Sequence, residues 1–164
     1  LLSLSCVVTK SKVYGISFSS LPTFIPTLLE TYKGSVTDLL LSVSNGRKFE
    51  GQFTTDYALS ILLSIPPFPT PTLAPSGCVI KGVSPSNLRH LYLMDIRKEG
   101  CLTNGEEYNS AGTSGALCFV SARGRDVQEA KKRAYKTISN LEVEDGQYRT
   151  DIGVRAERVS NFNY

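Results

Sequence analysis

The stretch "QYRTDIGVRA", residues 147–156, gathers side chains suited to chemistry: Arg149 and Arg155 on either side of Asp151, with Gly153 between them. Guanidinium groups grip carboxylates and phosphates through paired N–H donors, so the segment can act as an anion-binding loop. The same residues can instead form an ion-pair lock. In that arrangement Asp151 holds one arginine, the other reaches backbone carbonyls or a carboxylate of a sheet, and Gly153 permits the turn between them. The lock is the preferred reading. It predicts that Asp151→Ala lowers the melting temperature and exposes the tail to proteolysis. The anion loop predicts that Arg149→Ala or Arg155→Ala weakens phosphate or nucleotide binding instead.

Other reactive residue types are isolated. Cys6, Cys78, Cys101 and Cys118 are far apart, no C-x-x-C pair occurs and His90 is the sole histidine, so no zinc-ligand spacing exists. Reduced thiols in an intracellular compartment are expected, the cytoplasm ahead of an organelle, although spacing alone also permits two disulfides. Cys118 lies in an apolar run with no histidine beside it, which suits a buried small hydrophobe better than a nucleophile. His90 falls at a strand edge in a structural or exposed role. Ser114 in "GTSGA" has the wrong spacing for a nucleophile elbow.

These residues need a scaffold. The chain has 164 residues, 41% hydrophobic and 20% charged, which suits one domain with one core. A net charge of +3 without a dense basic stripe interleaved with aromatics argues against nucleic acid as a partner. The opening "LLSLSCVV" is too short to cross a bilayer, for which roughly 20 apolar residues are needed, and it suits a strand. With no initiator Met, the chain is expected to be the remainder of something longer.

Periodicity predicts the elements. Residues 4–8 and 12–18 form a hairpin across "TKS". Phe24, Ile25, Leu28 and Leu29, with Pro26 near the start, predict a short helix. Ser35 with Asp38 caps a second helix with Leu39, Leu40 and Val43 on one face, stopped by Asn45-Gly46. The alternating "DYALSILLSI" predicts a half-buried strand, ended by five prolines between positions 66 and 75 in a stiff, extended loop; a P-x-x-P ligand at Pro66 to Pro69 is the alternative use of that run. Strands near 78–83, 90–97 and 115–122 follow, with Glu99-Gly100 and Asn104-Gly105 as turn signals. Asp126 and Glu129 open a helix over 126–141 with Val127, Ala130, Ala134, Ile138 and Leu141 on one face. Its other face, with Lys131, Lys132, Arg133 and Lys136, reads as a solvated surface ahead of a phosphate site. The expected fold is α+β: one antiparallel sheet built from the strands at 57–65, 78–83, 90–97 and 115–122, covered by the last of these helices.

The run "GALCFVSARGRDVQEAKKRAYKTISNLEVEDGQYRTDIGVRA" resembles the C-terminal signature of phosphoribosylamine-glycine ligases, ATP-grasp enzymes of purine biosynthesis. Their pattern is a strand, a helix of the type E-A-x-x-x-A-Y and a segment near F-E-G-x-x-Y-R-x-D-I-G-x-R-A. Glu129, Ala130, Ala134, Tyr135, Gly146, Tyr148, Arg149, Asp151, Ile152, Gly153, Arg155 and Ala156 match as they stand. Upstream, "GSVTDLLLSVSNGR" and "LTNGEEYNSAGTSGALCFV" are similar to further segments of that family, so nearly the whole chain lies along its last third.

The resemblance implies two regions: residues 1–48 as a remnant of the ATP-grasp C-terminal subdomain, and 49–164 as the C-terminal domain. It also implies ATP and magnesium as the family's cofactors, with a Glu and an Asn of one strand holding the metal within V-L-E-F-N-x-R-F-G-D-P-E. In "VYGISFSSLPTF", Gly15 stands in place of that Glu, Ser17 in place of the Asn and Ser19 where an Arg is expected. No cofactor is therefore expected on this chain alone, and no Gly-rich phosphate loop occurs in it. Two functions stay open: a portion of a ligase whose ATP-binding part lies on other residues, or a pseudoenzyme kept as a structural or interaction subunit. The expected partners are the ATP-grasp portion or other protein subunits.

Overall fold

The computed structural model describes residues 3–19, 25–48, 51–101 and 105–160. Phe24 and Asn104 lie outside them. The fold is mixed α+β, with several small antiparallel sheets and a few helices.

Ser3–Val8 (β1) and Val13–Ser19 (β2) form the expected hairpin, closed where the Thr9 amide and hydroxyl both donate to the Lys12 carbonyl at 2.9 and 3.0 Å. Helix Ile25–Thr31 (α1) follows, with Pro26 buried in its first turn. Tyr32–Lys33 (β3) precedes Val36–Ser44 (α2), whose Ser35 cap accepts from the Asp38 amide at 3.2 Å and which ends at Asn45 and Gly46. Gln52–Phe53 (β4) pairs with β3.

The core is built on Tyr57–Ser64 (β5). Beyond it the proline run folds into successive turns, with the Phe68 amide on the Ile65 carbonyl and the Thr70 amide on the Pro67 carbonyl, where the sequence suggested an extended loop. Ile80–Lys81 (β6), Pro85–Leu88 (α3), Leu91–Leu93 (β7), Ile96–Cys101 (β8), Gly105–Ser110 (β9) and Ala116–Gly124 (β10) come next. Val127–Ile138 (α4), Glu142–Val143 (β11) and Val154–Ser160 (α5) complete the order.

β10 lies between β5 and β7 in a three-stranded antiparallel sheet. Register puts Leu59, Ile61, Leu63, Cys118, Val120 and Ala122 on one face, where Val127, Ala130, Ala134 and Ile138 of α4 close the core. The opposite face carries α1, joined by a relay of hydroxyls: Thr27 to Ser60 at 2.7 Å and Ser60 to Ser121 at 2.6 Å.

Two expected strands come out differently. The segment at 78–83 is outside this sheet; β6 pairs with β11, and Val79 bridges Asn109. The segment at 90–97 is not one strand. It breaks after β7 because the Asp95 carboxylate turns inward, and β8 then leaves to form a separate hairpin with β9. Glu99-Gly100, expected as a turn, lies within β8.

Candidate functional site

The C-terminal motif is held from beneath by α4. The Tyr135 hydroxyl donates to the Arg149 carbonyl at 2.8 Å and accepts from the Ile152 amide at 3.1 Å, so one phenol clasps both ends of the turn. Gly153 has φ +88°, the left-handed conformation that a side chain opposes, and allows α5 to start immediately. Lys131 reaches Glu157 of α5 at 3.2 Å. Arg149 and Asp151 form a bidentate pair, Nε to Oδ1 at 2.9 Å and Nη2 to Oδ2 at 2.7 Å, with both side chains mostly exposed. Hydrogen bonding to Arg149 holds the Asp151 carboxyl below its usual range. Arg155 is exposed on α5. The motif borders a cavity of about 460 Å³ lined by Leu62, Phe68, Phe119, Tyr148 and Ile152, with Arg149 on its wall.

A second cleft, of about 610 Å³, opens at the other end of β10. β7 pairs with β10 only over Cys118–Val120, so the β10 edge at Ser121–Arg123 carries no neighbouring strand; the His90 carbonyl takes the Ser121 amide at 2.9 Å. α1 borders the gap on one side and α4 on the other. Arg89, Arg123, Arg133 and Lys136 line it, with Glu30 as the single carboxylate among the described lining residues. The capped turn of α3, where Ser84 and Asn87 exchange bonds at 2.8 and 3.4 Å, delivers Arg89 and His90 to this place.

The electrostatics of the cleft follow from who can donate. Arg89 Nε donates to His90 Nε2 at 3.1 Å, so that nitrogen is the acceptor and the ring proton sits on Nδ1, 2.9 Å from Glu30 Oε1. The Glu30 side chain, 6% exposed, thereby accepts a hydrogen bond in place of lost water. Burial, with Glu30 adding to it, raises the Tyr92 phenol. Arg133 is fixed by the Arg123 carbonyl at 3.0 Å and by Glu129 at 2.7 Å.

Sequence reasoning placed His90 at a strand edge; it lies in the turn one residue before β7, and nothing in the sequence connects it with Glu30, 60 positions away. Sequence reasoning also missed Asp95. That carboxylate is 2% exposed and accepts the amides of Thr113, Ser114 and Gly115 and the Thr113 hydroxyl at 2.7 to 3.0 Å. Burial alone would raise its pKa; the hydrogen bonds outweigh this and bring it from 3.8 to about 2. "GTSGA" is thus a carboxylate-binding turn, with Ser114 Oγ accepting the Ala116 amide at 3.2 Å. Gly115, at φ +77°, has no room for a Cβ beside the Ile65 carbonyl. Cys118 is buried and its thiol is pushed up to about 12, which leaves it protonated and unreactive at neutral pH.

Set beside known proteins, the chain aligns with phosphoribosylamine–glycine ligases. That of Streptomyces coelicolor is 25% identical over 133 residues, covering 79% of this chain and 31% of the enzyme. One from Helicobacter pylori is 28% identical over 139 residues, covering 84% of this chain and 31% of the enzyme. This chain is related to the C-terminal part of phosphoribosylamine–glycine ligase. A shorter match, 40% identical over 52 residues and 32% of this chain, joins it to the chloroplastic phosphoribosylamine–glycine ligase of Arabidopsis thaliana, of which it covers 10%. No protein-family model matches. The chain spans about a third of the length of the Streptomyces and Helicobacter phosphoribosylamine–glycine ligases.

Gly15 and Ser17 lie on β2, opposite Cys6 and Ser5, on either side of a bulge at Ile16. Gly15 offers no side-chain oxygen, and a serine offers only a neutral hydroxyl, so this pair does not make the carboxylate-rich oxygen set that magnesium takes. Among the described residues no three His, Cys, Asp or Glu side chains gather as a metal site, and no helix is long and apolar enough to cross a membrane.

Proposed function

We propose that this chain is the diverged C-terminal portion of a phosphoribosylamine–glycine ligase-like protein of purine biosynthesis, in the ATP-grasp superfamily, and that by itself it does not ligate phosphoribosylamine to glycine. The observation that carries the reading is the run of matches around Tyr135, Tyr148, Arg149, Asp151 and Gly153. These residues meet in one place, where the α4 tyrosine clasps the tail. In this reading residues 1–48 are the remnant of an ATP-grasp subdomain and 49–164 the C-terminal domain. ATP and magnesium are handled by residues outside the chain or on a separate polypeptide, in an intracellular, most simply cytoplasmic, assembly.

A second reading, a pseudoenzyme kept as a structural or interaction subunit, is favoured by Gly15 and Ser17 at the positions where the family places metal ligands. Two measurements test these readings. Calorimetric titration of the chain with magnesium and ATP is expected to show no binding at millimolar nucleotide; a micromolar Kd overturns the non-catalytic assignment. The mass of the intact gene product separates the alternatives: about three times this chain supports a whole ligase, whereas a short product supports the subunit.

A further inference from the structure

We propose that the outer edge of β5 takes up an extended peptide as an added strand, with an apolar side chain of that peptide in the cavity beside the tail. The inference rests on the geometry of this edge and does not depend on the ligase reading. β5 pairs with β10 on one side only. On the other side Ser64 bonds Gln147 through both of its backbone groups, amide to carbonyl at 2.9 Å and carbonyl to amide at 2.7 Å. Backbone groups alternate sides along a strand, so Leu62, Ser60 and Ala58 turn theirs outward as Ser64 does. Among the described residues no backbone group pairs with those three on that side. All three residues are half-buried, and a strand edge left open in this way is a template for another chain.

The tail begins a ladder at Gln147 and then leaves it. A continued antiparallel ladder would bring the Arg149 carbonyl to the Leu62 amide, but the Tyr135 hydroxyl takes that carbonyl instead. Between edge and tail lies the cavity of about 460 Å³, lined by Leu62 and its cross-strand partner Phe119 from the sheet, by Phe68 from the proline turns and by Tyr148 and Ile152 from the tail. The occupant follows from the two features together. The cavity alone would accept any small apolar molecule, whereas amides and carbonyls open at every second residue match another extended backbone. The peptide side chain opposite Leu62 shares its face of the sheet and so enters the cavity, which calls for an aromatic or aliphatic residue there. Arg149 on the wall is already committed to Asp151 by two bonds, so no acidic residue is called for. A second copy of β5 fits less well, because the Ser60 and Leu62 side chains it offers already line its own cavity.

The test uses the full chain and three capped pentapeptides rich in threonine and valine: one with phenylalanine at the centre, the same peptide N-methylated at two alternate amides including the central one, and one with aspartate at the centre. Fluorescence anisotropy is expected to show saturable binding of the phenylalanine peptide, and amide hydrogen exchange at Ser60 and Leu62 should slow in its presence. N-methylation should weaken binding about tenfold, the worth of two backbone bonds, and the aspartate peptide should bind at least as weakly. Ala58→Pro removes an outward amide and leaves the bonds to β10 in place, so it should weaken binding several-fold while the chain stays folded by circular dichroism. Leu40→Ala, at an exposed apolar residue of α2, should leave binding unchanged. Equal binding of the N-methylated peptide overturns the proposal, since the cavity alone then suffices. So does protection confined to amides outside β5, or absence of binding at millimolar peptide. A dimer in sedimentation that Ala58→Pro abolishes, with no peptide bound, also overturns it and makes a second copy the occupant.

Discussion

Helices α2 and α4 begin alike and finish differently. Each starts at an oxygen-bearing cap that accepts the amide three residues on, Ser35 from Asp38 and Asp126 from Glu129, and each carries apolar residues at helical spacing. α4 buries Val127, Ala130, Ala134 and Ile138 against β5 and β10. α2 buries none, and Leu40 and Val43 are each 57% exposed. The hairpin β1–β2 is similar, with Val8, Val13 and Ile16 open to solvent. Capping and spacing decide that a helix forms, but only an opposing surface decides what its apolar face contributes. The stability of this molecule is thus concentrated between β5, β10 and α4.

The strongest way to break that contrast is to excavate both regions. Ile61 is fully buried beneath α4, so Ile61→Ala is expected to cost about 2–5 kcal/mol in urea unfolding, from lost transfer energy and the cavity left behind. Val43→Ala should change stability by less than about 0.5 kcal/mol, as exposed substitutions do. Comparable losses at the two sites would mean that α2 is covered in solution.

The same contrast explains what was legible beforehand. Hairpin β1–β2, helix α1 with Pro26 in its first turn, the caps of α2 and α4, strand β5 and the buried face of α4 all follow from neighbours within a few residues, and the sequence shows them. The order of the sheet does not follow. Val79, Ile80 and Val83 look like any strand. Their exclusion from the sheet depends on Glu142–Val143 arriving from far along the chain to pair with β6. The break at Asp95 was hidden for the same reason: its meaning lies in amides 18 to 20 residues away. The cleft is the extreme case. Glu30 and His90 are unremarkable separately, and only the packing of α1 on the sheet joins them. A chemically pointed tail motif is visible, and Tyr135 stands out as a signature match, but the hydroxyl clasp that joins the two appears only in the fold.

Asp95 gives the next largest expected effect and a pH signature. Its folded pKa of about 2 lies below the ordinary 3.8, so the carboxylate stabilises the fold fully above pH 3.8 and loses that contribution as pH falls from there towards 2. At about 1.4 kcal/mol per unit the loss is about 2 kcal/mol. Acid titration of urea midpoints should show a drop of this size in the parent between pH 5 and 2. In Asp95→Asn the drop should be missing and stability at pH 7 already lower, because an amide NH2 or a weaker acceptor then faces three N–H donors. A variant with the parent's acid profile would show that the turn at 113–115 is not organised by this charge.

The smallest effects separate two ways of tying down the tail, one half-buried and one exposed. The sequence pointed to an ion-pair lock in which Asp151 holds one of the two arginines, with Asp151→Ala melting several degrees lower; the structure pairs it with Arg149. In the fold, that pair faces solvent, whereas the Tyr135 hydroxyl bonds the Arg149 carbonyl and the Ile152 amide. Exposed ion pairs gain little over hydrated ions and are screened by salt. A phenol that satisfies one donor and one acceptor leaves both without a protein partner when its oxygen is removed, and each bond is worth about 0.5–1.5 kcal/mol net. Tyr135→Phe is therefore expected to cost about 1–2 kcal/mol and to speed limited proteolysis within 147–156, with core unfolding otherwise unchanged in character. Asp151→Ala should barely move the melting curve, and any shift should vanish at about 1 M salt. If instead Asp151→Ala releases the tail while Tyr135→Phe leaves it protected, the ion pair is the fastening and the tyrosine only rests against it. The contrast between buried and exposed contacts would then fail at this end of the molecule.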